Sequence, residues 1–228
     1  MSLRDWFGDL FWVVQRTRAP AFAASVTGAP PSTVRGFAAE LAKAGVHERK
    51  EVLLYLVTRA LRPQHVVETG VWYGWSSRAI LAALHVNGSG RLTSIDLPTL
   101  TAGRLNADGT FDRARVDAIS DTGREVPAYL KDRWELRLVS SPEESTAALE
   151  QSAALGIDMF LHDSDHSYEN MTREFRIAWA GLGPRGVLYS DDVDWNAAFT
   201  DFARSVNRAR RTFRLYPYTH SHVGALTK

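Results

Sequence analysis

The stretch Val66-Val67-Glu68-Thr69-Gly70-Val71-Trp72-Tyr73-Gly74-Trp75-Ser76-Ser77 most constrains what this chain can fold into. A β-branched run meets a tight turn punctuated by two glycines, and a helix beginning in small hydroxyl residues follows. In an α/β sheet, such a strand–turn–helix unit builds a nucleotide site at the carboxyl end of the first strand. Gly70 and Gly74 let backbone approach a ligand, and the free N–H groups of the next helix receive a negative group. Glu68, at the strand end, can accept hydrogen bonds from ribose hydroxyls or from an amino group. A dinucleotide fingerprint reads G-x-G-x-x-G instead. Here Trp72 stands at the second glycine position and leaves a pyrophosphate no room. The pattern suits a mononucleoside carrying an amino-acid tail; the alternative is a purely structural turn.

From Pro63 onward the chain alternates strand and helix patterns, the mark of a doubly wound α/β sheet. Strands are expected near 65–69, 92–96, 135–139, 157–162 and 186–190, with two more near 212–216 and 221–226. Helices are expected near 75–86, 122–131, 143–154, 167–180 and 196–207. The expected architecture is a mostly parallel seven-stranded sheet over residues 63–228. Residues 1–62 read as an N-terminal helical segment, a lid or a dimer contact. Trp6, Phe7, Leu10, Phe11 and Val14 recur there at helical spacing, and that face is expected to pack on the body or on a second subunit, which leaves a homo-oligomer open. Ser32 can cap a helix running to about Ala44, and another covers Glu48 to Leu61, ending before Pro63. Residues 98–120 lack periodicity and read equally as a functional lid or as a surface insertion.

Composition narrows the function classes. A formal net charge of +1 over 228 residues gives no electrostatic case for nucleic acid or an anionic membrane. The chain has no cysteine, which excludes disulfides, thiolate metal sites and cysteine nucleophiles. No apolar run approaches the roughly 20 residues that span a bilayer, and the start lacks the pattern of a signal peptide. A cytoplasmic protein acting on a small molecule is the expectation.

Acidic residues collect where strands end. Asp96 closes the second strand, about 20 residues past the glycine turn, where an acid can grip ribose hydroxyls. Ser140 and Ser141 follow the third strand, near where an adenine would lie, although either can equally cap the next helix. The fourth strand runs into Asp163-Ser164-Asp165-His166, and the fifth into Asp191-Asp192. Strand parity would put Asp163 and Asp165 on one face if the extended geometry persists that far, with His162 and His166 opposed to them. Neighbouring strands would gather these acids in one crevice, where like charges repel unless a cation or shared protons compensate. Oxygen donors without cysteine suit magnesium or calcium.

Taken together, Glu68-Thr69-Gly70-Val71-Trp72-Tyr73-Gly74, Asp163-Ser164-Asp165-His166-Ser167-Tyr168-Glu169, Gly183-Pro184-Arg185-Gly186 and Asp191-Asp192 resemble the class I, Rossmann-like methyltransferases. Within them, the chain looks like the metal-dependent O-methyltransferases of macrolide and aminocoumarin sugars, and more distantly the catechol enzymes. The resemblance covers about residues 60–205. It implies S-adenosylmethionine as cofactor, bound by Glu68, Thr69, Gly70, Tyr73, Gly74, Ser76, Asp96, Ser141 and Asp163. It also implies magnesium held by Asp163, Asp191 and Asp192, with Asp165 as general base. The chain departs from the pattern at Gly183-Pro184-Arg185-Gly186, where many relatives read Pro-Gly-Gly, and at Trp75, where the sugar enzymes usually carry a small residue. Two other readings stay open: a metal-free N-methyltransferase or a cofactor-bound protein that does not methylate, and a nicotinamide oxidoreductase or nucleotide-binding module, against which Trp72 speaks.

Overall fold

The computed structural model describes residues 18–41, 46, 49–98, 119–215 and 222–228. Three helices precede the sheet: α1 (18–27), α2 (Pro31–Ala38) and α3 (Arg49–Leu61). Then come β1 (His65–Thr69), α4 (Trp75–Asn87), β2 (Arg91–Asp96), β3 (Trp134–Leu138), α5 (Pro142–Ala154) and β4 (Ile157–His162). The chain closes with α6 (Tyr168–Gly181), β5 (Leu182–Ser190), α7 (Ala198–Ser205), β6 (Arg211–Arg214) and β7 (His222–Thr227). The seven strands form one sheet in the order β3-β2-β1-β4-β5-β7-β6. All neighbours up to β5 are parallel, and β7 runs antiparallel to both β5 and β6. The expected doubly wound sheet is what the chain adopts.

Strand order reverses direction between β1 and β4, so the connections leaving these two strands diverge to opposite faces and open a crevice above their carboxyl ends. β1 is buried along its whole length, as a central parallel strand must be. Side-chain alternation splits the core into two layers. Val66, Met159, Leu161, Val187 and Tyr189 pack with Phe22, Val34, Tyr55 and Leu84 of α1–α4. Val67, Phe160 and Leu188 pack with Leu149, Phe175 and Phe199 of α5–α7. The helices ahead of β1 therefore share a continuous core with the sheet.

Local chemistry sets the helix ends. Gly74 (φ 89°) begins α4 and Gly88 (φ 72°) stops it, both in the left-handed region that glycine tolerates. Ser141 accepts the Glu144 N–H and Pro142 occupies the first turn of α5. Ser167 caps α6 in the same way, accepting from Asn170.

The helix expected near 122–131 is not formed. Two 3-10 turns, Ile119–Asp121 and Ala128–Arg133, stand there instead. Gly123 adopts φ 74° and Pro127 lacks an N–H, so an α-helix cannot run through them. The segment between the turns lies on the glycine turn, with Gly123 N–H donating to the Trp72 carbonyl (2.8 Å) and Glu125 N–H to that of Tyr73 (2.9 Å). The helix expected to reach Ala44 ends at Ala38. The aromatic face of Trp6, Phe7, Leu10, Phe11 and Val14, and most of 98–120, lie outside the described residues.

Candidate active site

Gly70 is the point of closest approach in the crevice. Its φ is 82°, and a Cβ placed on it would lie 2.1 Å from the Asp163 carbonyl oxygen. Both partners are pinned: Gly70 N–H donates to Ile95 (2.9 Å) and Asp163 N–H to Thr69 (2.9 Å). The glycine is therefore required by the crossing of two backbones. A cavity of about 350 Å³ opens over this turn, lined by Lys50, Glu51, Val71, Trp72, Trp75, Ser76 and Asp163. Trp72 and Trp75 wall it with partly exposed indoles, Trp72 stacked on Tyr73 with centroids 4.8 Å apart.

Several residues expected to touch a cofactor turn out to build the turn. Glu68 is fully buried, and its carboxylate accepts hydrogen bonds from Ser76, Ser77 and Ser94 hydroxyls. Burial raises its pKa, and the serines act in the opposite sense. Its role is to fix the start of α4 and the adjoining strand β2; the expected ribose or amino contact is replaced by these three hydroxyls. Thr69 likewise turns its hydroxyl to Glu174 (2.5 Å). Asp96 accepts the Val71 N–H at 2.9 Å and remains at the rim, 9% exposed. Burial raises its pKa, and the Val71 and Trp72 N–H groups oppose that rise. A carboxylate has about four acceptor sites, so Asp96 keeps capacity for a ligand's hydroxyls. Tyr73 stacks under the Arg124 guanidinium, 3.8 Å from its ring centroid. Ser141 is a cap, as one of its two expected roles had it.

The acids after β4 and β5 divide. Because His162 pairs with Ser190 at the ends of two parallel strands, Asp163 and Asp191 emerge side by side. Asp165 does not join them: β4 ends at His162, so strand parity no longer governs it. It is exposed, and its oxygens accept the Ser167 N–H (3.1 Å) and hydroxyl (2.7 Å) at the start of α6. The general-base role expected of Asp165 has no geometric support, since its carboxylate serves the helix cap and is not part of the cavity wall.

Between Asp163 and Asp191 lies an ammonium that the sequence reading did not anticipate. Lys50 Nζ, carried by α3, sits 2.5 Å from Asp163 Oδ2 and 2.5 Å from Asp191 Oδ2. Burial works against its charge, but the two carboxylates outweigh that and raise its pKa. Burial lifts the Asp163 pKa well above the ordinary carboxylate value, with Asp191 adding to it, whereas Lys50 holds Asp191 below that value despite burial. Asp192 takes a left-handed φ of 44° just beyond the pair. Among the described residues, no three His, Asp or Glu side chains converge as a metal-binding group. Of the three residues expected to hold magnesium, Asp163 and Asp191 are already bridged by a fixed cation, an arrangement that does not fit a divalent metal.

A second hub, Glu174 of α6, supports the site from behind. Its carboxylate accepts from Thr69 Oγ1, from Ser164 Oγ (2.9 Å) and from Asn170 Nδ2 (3.3 Å), and pairs with His162 Nδ1 (2.7 Å). Burial opposes ionisation here, yet these partners lower its pKa. His166 contacts His162 and Trp195 ring to ring, and burial, with His162 adding to it, depresses its pKa to about 4.

The family model described as a methyltransferase domain matches residues 67–193, from within β1 to just past the acid pair. The chain belongs to that family. It has the class I, Rossmann-like methyltransferase fold, an enzyme fold. Among solved structures, the O-methyltransferase of Bacillus cereus, in complex with S-adenosylhomocysteine, superposes with a TM-score of 0.56 at 17% identity, covering 93% of this chain and 98% of that one. TomG of Streptomyces achromogenes, an O-methyltransferase of tomaymycin synthesis in complex with S-adenosylmethionine, gives 0.56 at 17% identity over 92% and 89%. A methyltransferase of Geobacter sulfurreducens gives 0.54 at 17% over 86% and 88%. At such identities the likeness is one of fold. Among curated proteins, none matches the chain.

Proposed function

We propose that this methyltransferase moves the methyl group of S-adenosylmethionine to a hydroxyl oxygen of a small acceptor. The observation that carries the proposal is the cavity over the Gly70 turn, lined by Asp163 and by Val71, whose N–H is held by Asp96. The cavity wall at Val71 and Ser76 accepts the amino-acid tail, and the N–H groups at the start of α4 meet its carboxylate. Asp96 uses its remaining acceptor sites on the ribose hydroxyls. Thr69, Tyr73, Gly74 and Ser76 shape the turn.

The chemistry asks little of the protein beyond alignment. The acceptor oxygen attacks the sulfonium methyl, an O–C bond forms, the S–C bond breaks, and the sulfonium becomes a neutral thioether. Near-attack alignment supplies on the order of 7–11 kcal/mol in favourable cases. The acceptor's proton needs a base; of the two carboxylates lining the cavity, Glu51 is paired with Arg78, and Asp163 is the one proposed to take the proton. The indoles of Trp72 and Trp75 suit an apolar or aromatic ring bearing the hydroxyl. The Lys50 ammonium on the cavity wall disfavours a cationic amine acceptor, so oxygen is preferred to nitrogen. A hydroxylated natural product of this kind is the acceptor class proposed.

Titration calorimetry provides the test. S-adenosylhomocysteine is expected to bind, and Asp96→Ala to weaken it about tenfold or more, the loss of a hydrogen bond to a charged group. NAD is expected not to bind, because Trp72 occupies the pyrophosphate's place. Tight NAD binding with silence toward the sulfur nucleoside would overturn the proposal.

A further inference from the structure

We infer that Lys50 is the resident cation of this active site, built into the chain where a divalent metal would otherwise hold the acid pair and the acceptor oxygen. The inference deepens the methyltransferase reading and rests on it for the identity of what enters the cavity; the placement of the charge stands on geometry alone.

Four observations carry it. Lys50 Nζ bridges Asp163 Oδ2 and Asp191 Oδ2 at 2.5 Å each, so one ammonium satisfies a carboxylate from each of two adjacent strand ends. Lys50 also lines the cavity beside Asp163 and is a quarter exposed there, so the charge is presented to a ligand as well as to the acids. An ammonium has three N–H donors; two go to the acids, and among the described residues the third has no partner, leaving it for an oxygen brought in by the acceptor. Finally, α3 holds the lysine in register: Glu51, next along the helix, pairs with Arg78 of α4 at 3.0 Å, and Val52 to Val57 are buried in the core. Lys50 thus belongs to a fixed helix, in contrast to a solvated surface lysine.

Two polar atoms at this centre remain without hydrogen-bond partners among the described residues, Asp191 Oδ1 and Tyr189 Oη, both buried. Asp191 Oδ1 leaves the acid pair with unused acceptor capacity. In the reaction, the third Lys50 N–H donates to the acceptor oxygen. It favours the anionic form of that oxygen as its proton leaves, the role a Lewis acid would have, without binding two oxygens at once. A single hydroxyl is therefore enough for the acceptor, and no vicinal diol is required.

The test uses the full chain with manganese alone and with S-adenosylhomocysteine, so it needs no identified acceptor. Wild-type protein is expected to show no saturable Mn²⁺ binding by electron paramagnetic resonance below about 1 mM, because the ammonium repels a second cation. Its affinity for S-adenosylhomocysteine is expected to be the same in excess chelator as in magnesium. Removing the ammonium in Lys50→Ala exposes two adjacent carboxylates, and Mn²⁺ affinity should rise at least about 100-fold, since a unit charge some 4 Å from a divalent ion acts strongly in a partly buried site. Lys50→Arg, which keeps the charge, should remain blind to Mn²⁺. One stoichiometric Mn²⁺ bound tightly by wild type overturns the inference, and so does a folded Lys50→Ala with no gain in metal affinity. If Lys50→Ala fails to fold, the wild-type and Lys50→Arg titrations decide. Loss of S-adenosylhomocysteine binding under every condition would instead count against the methyltransferase reading and leave the Mn²⁺ result intact.

Discussion

Gly70→Ala is expected to remove cofactor binding and to destabilise the fold by about 2–5 kcal/mol, combining a left-handed backbone with an overpacked contact. The added Cβ would sit 2.1 Å from the Asp163 carbonyl oxygen, and neither side can retreat without breaking a backbone hydrogen bond between strand ends. The strain falls on Asp163 itself, so affinity for S-adenosylhomocysteine should fall at least 100-fold in whatever fraction folds. Gly88→Ala is the matched control. Gly88 also has a positive φ of 72°, but nothing lies within 4 Å of a Cβ there. It should cost only about 1–2 kcal/mol and leave affinity unchanged. Chemical denaturation and calorimetry on both variants measure the two effects. Equal losses of affinity would mean that backbone freedom, and not the crossing of two chains, is what the turn requires.

Glu174→Ala carries the second large effect. Thr69, His162 and Ser164 would each lose a buried partner at once, and removing one member of such a network costs about 3–5 kcal/mol. Glu174→Gln keeps the shape but not the charge and should cost less, about 1–3 kcal/mol. The pH dependence follows from the direction of the shift. A carboxylate whose folded pKa lies below its ordinary 4.5 contributes stability above that value and loses it as pH falls through the folded one. The gap between wild type and Glu174→Gln in urea unfolding should therefore be full at pH 7 and shrink below about pH 4.5. A gap that persists undiminished at pH 3 would show that the charge contributes nothing and that only shape matters.

The two hubs also show what the chain declares in one dimension. The order of strands and helices is readable because each strand is a short apolar run between turn residues, and the Glu68–Gly74 segment marks the first crossover. Asp163 and Asp191 are readable as neighbours because parallel strands align their ends. Asp165 is misread because alternation stops with the strand, one residue before Asp163, and capping chemistry takes over. The expected helix near 122–131 fails for a local reason, Gly123 and Pro127, visible in the sequence but outweighed there by the surrounding pattern. Glu174 left a signal: it falls on the stripe of buried Met171, Phe175 and Ala178, where an acid must have partners. Lys50 left none. It opens a helix as an ordinary charged residue, and only the docking of α3 on α4 carries it to acids more than a hundred positions away.

That docking bears on how far the enzyme can be treated as a module. The stretch shared with the methyltransferase family begins at residue 67, downstream of α3. A fragment trimmed to the shared stretch would inherit both carboxylates and the glycine turn yet discard their counter-charge. The same cut would strip α4 of its Glu51 partner and expose the apolar layer that Tyr55 and Leu54 now cover. Grafting this catalytic centre onto a related scaffold would therefore mean moving two pieces together, the shared stretch and the helix in front of it. Chain segments outside a family's common pattern can own part of its electrostatics.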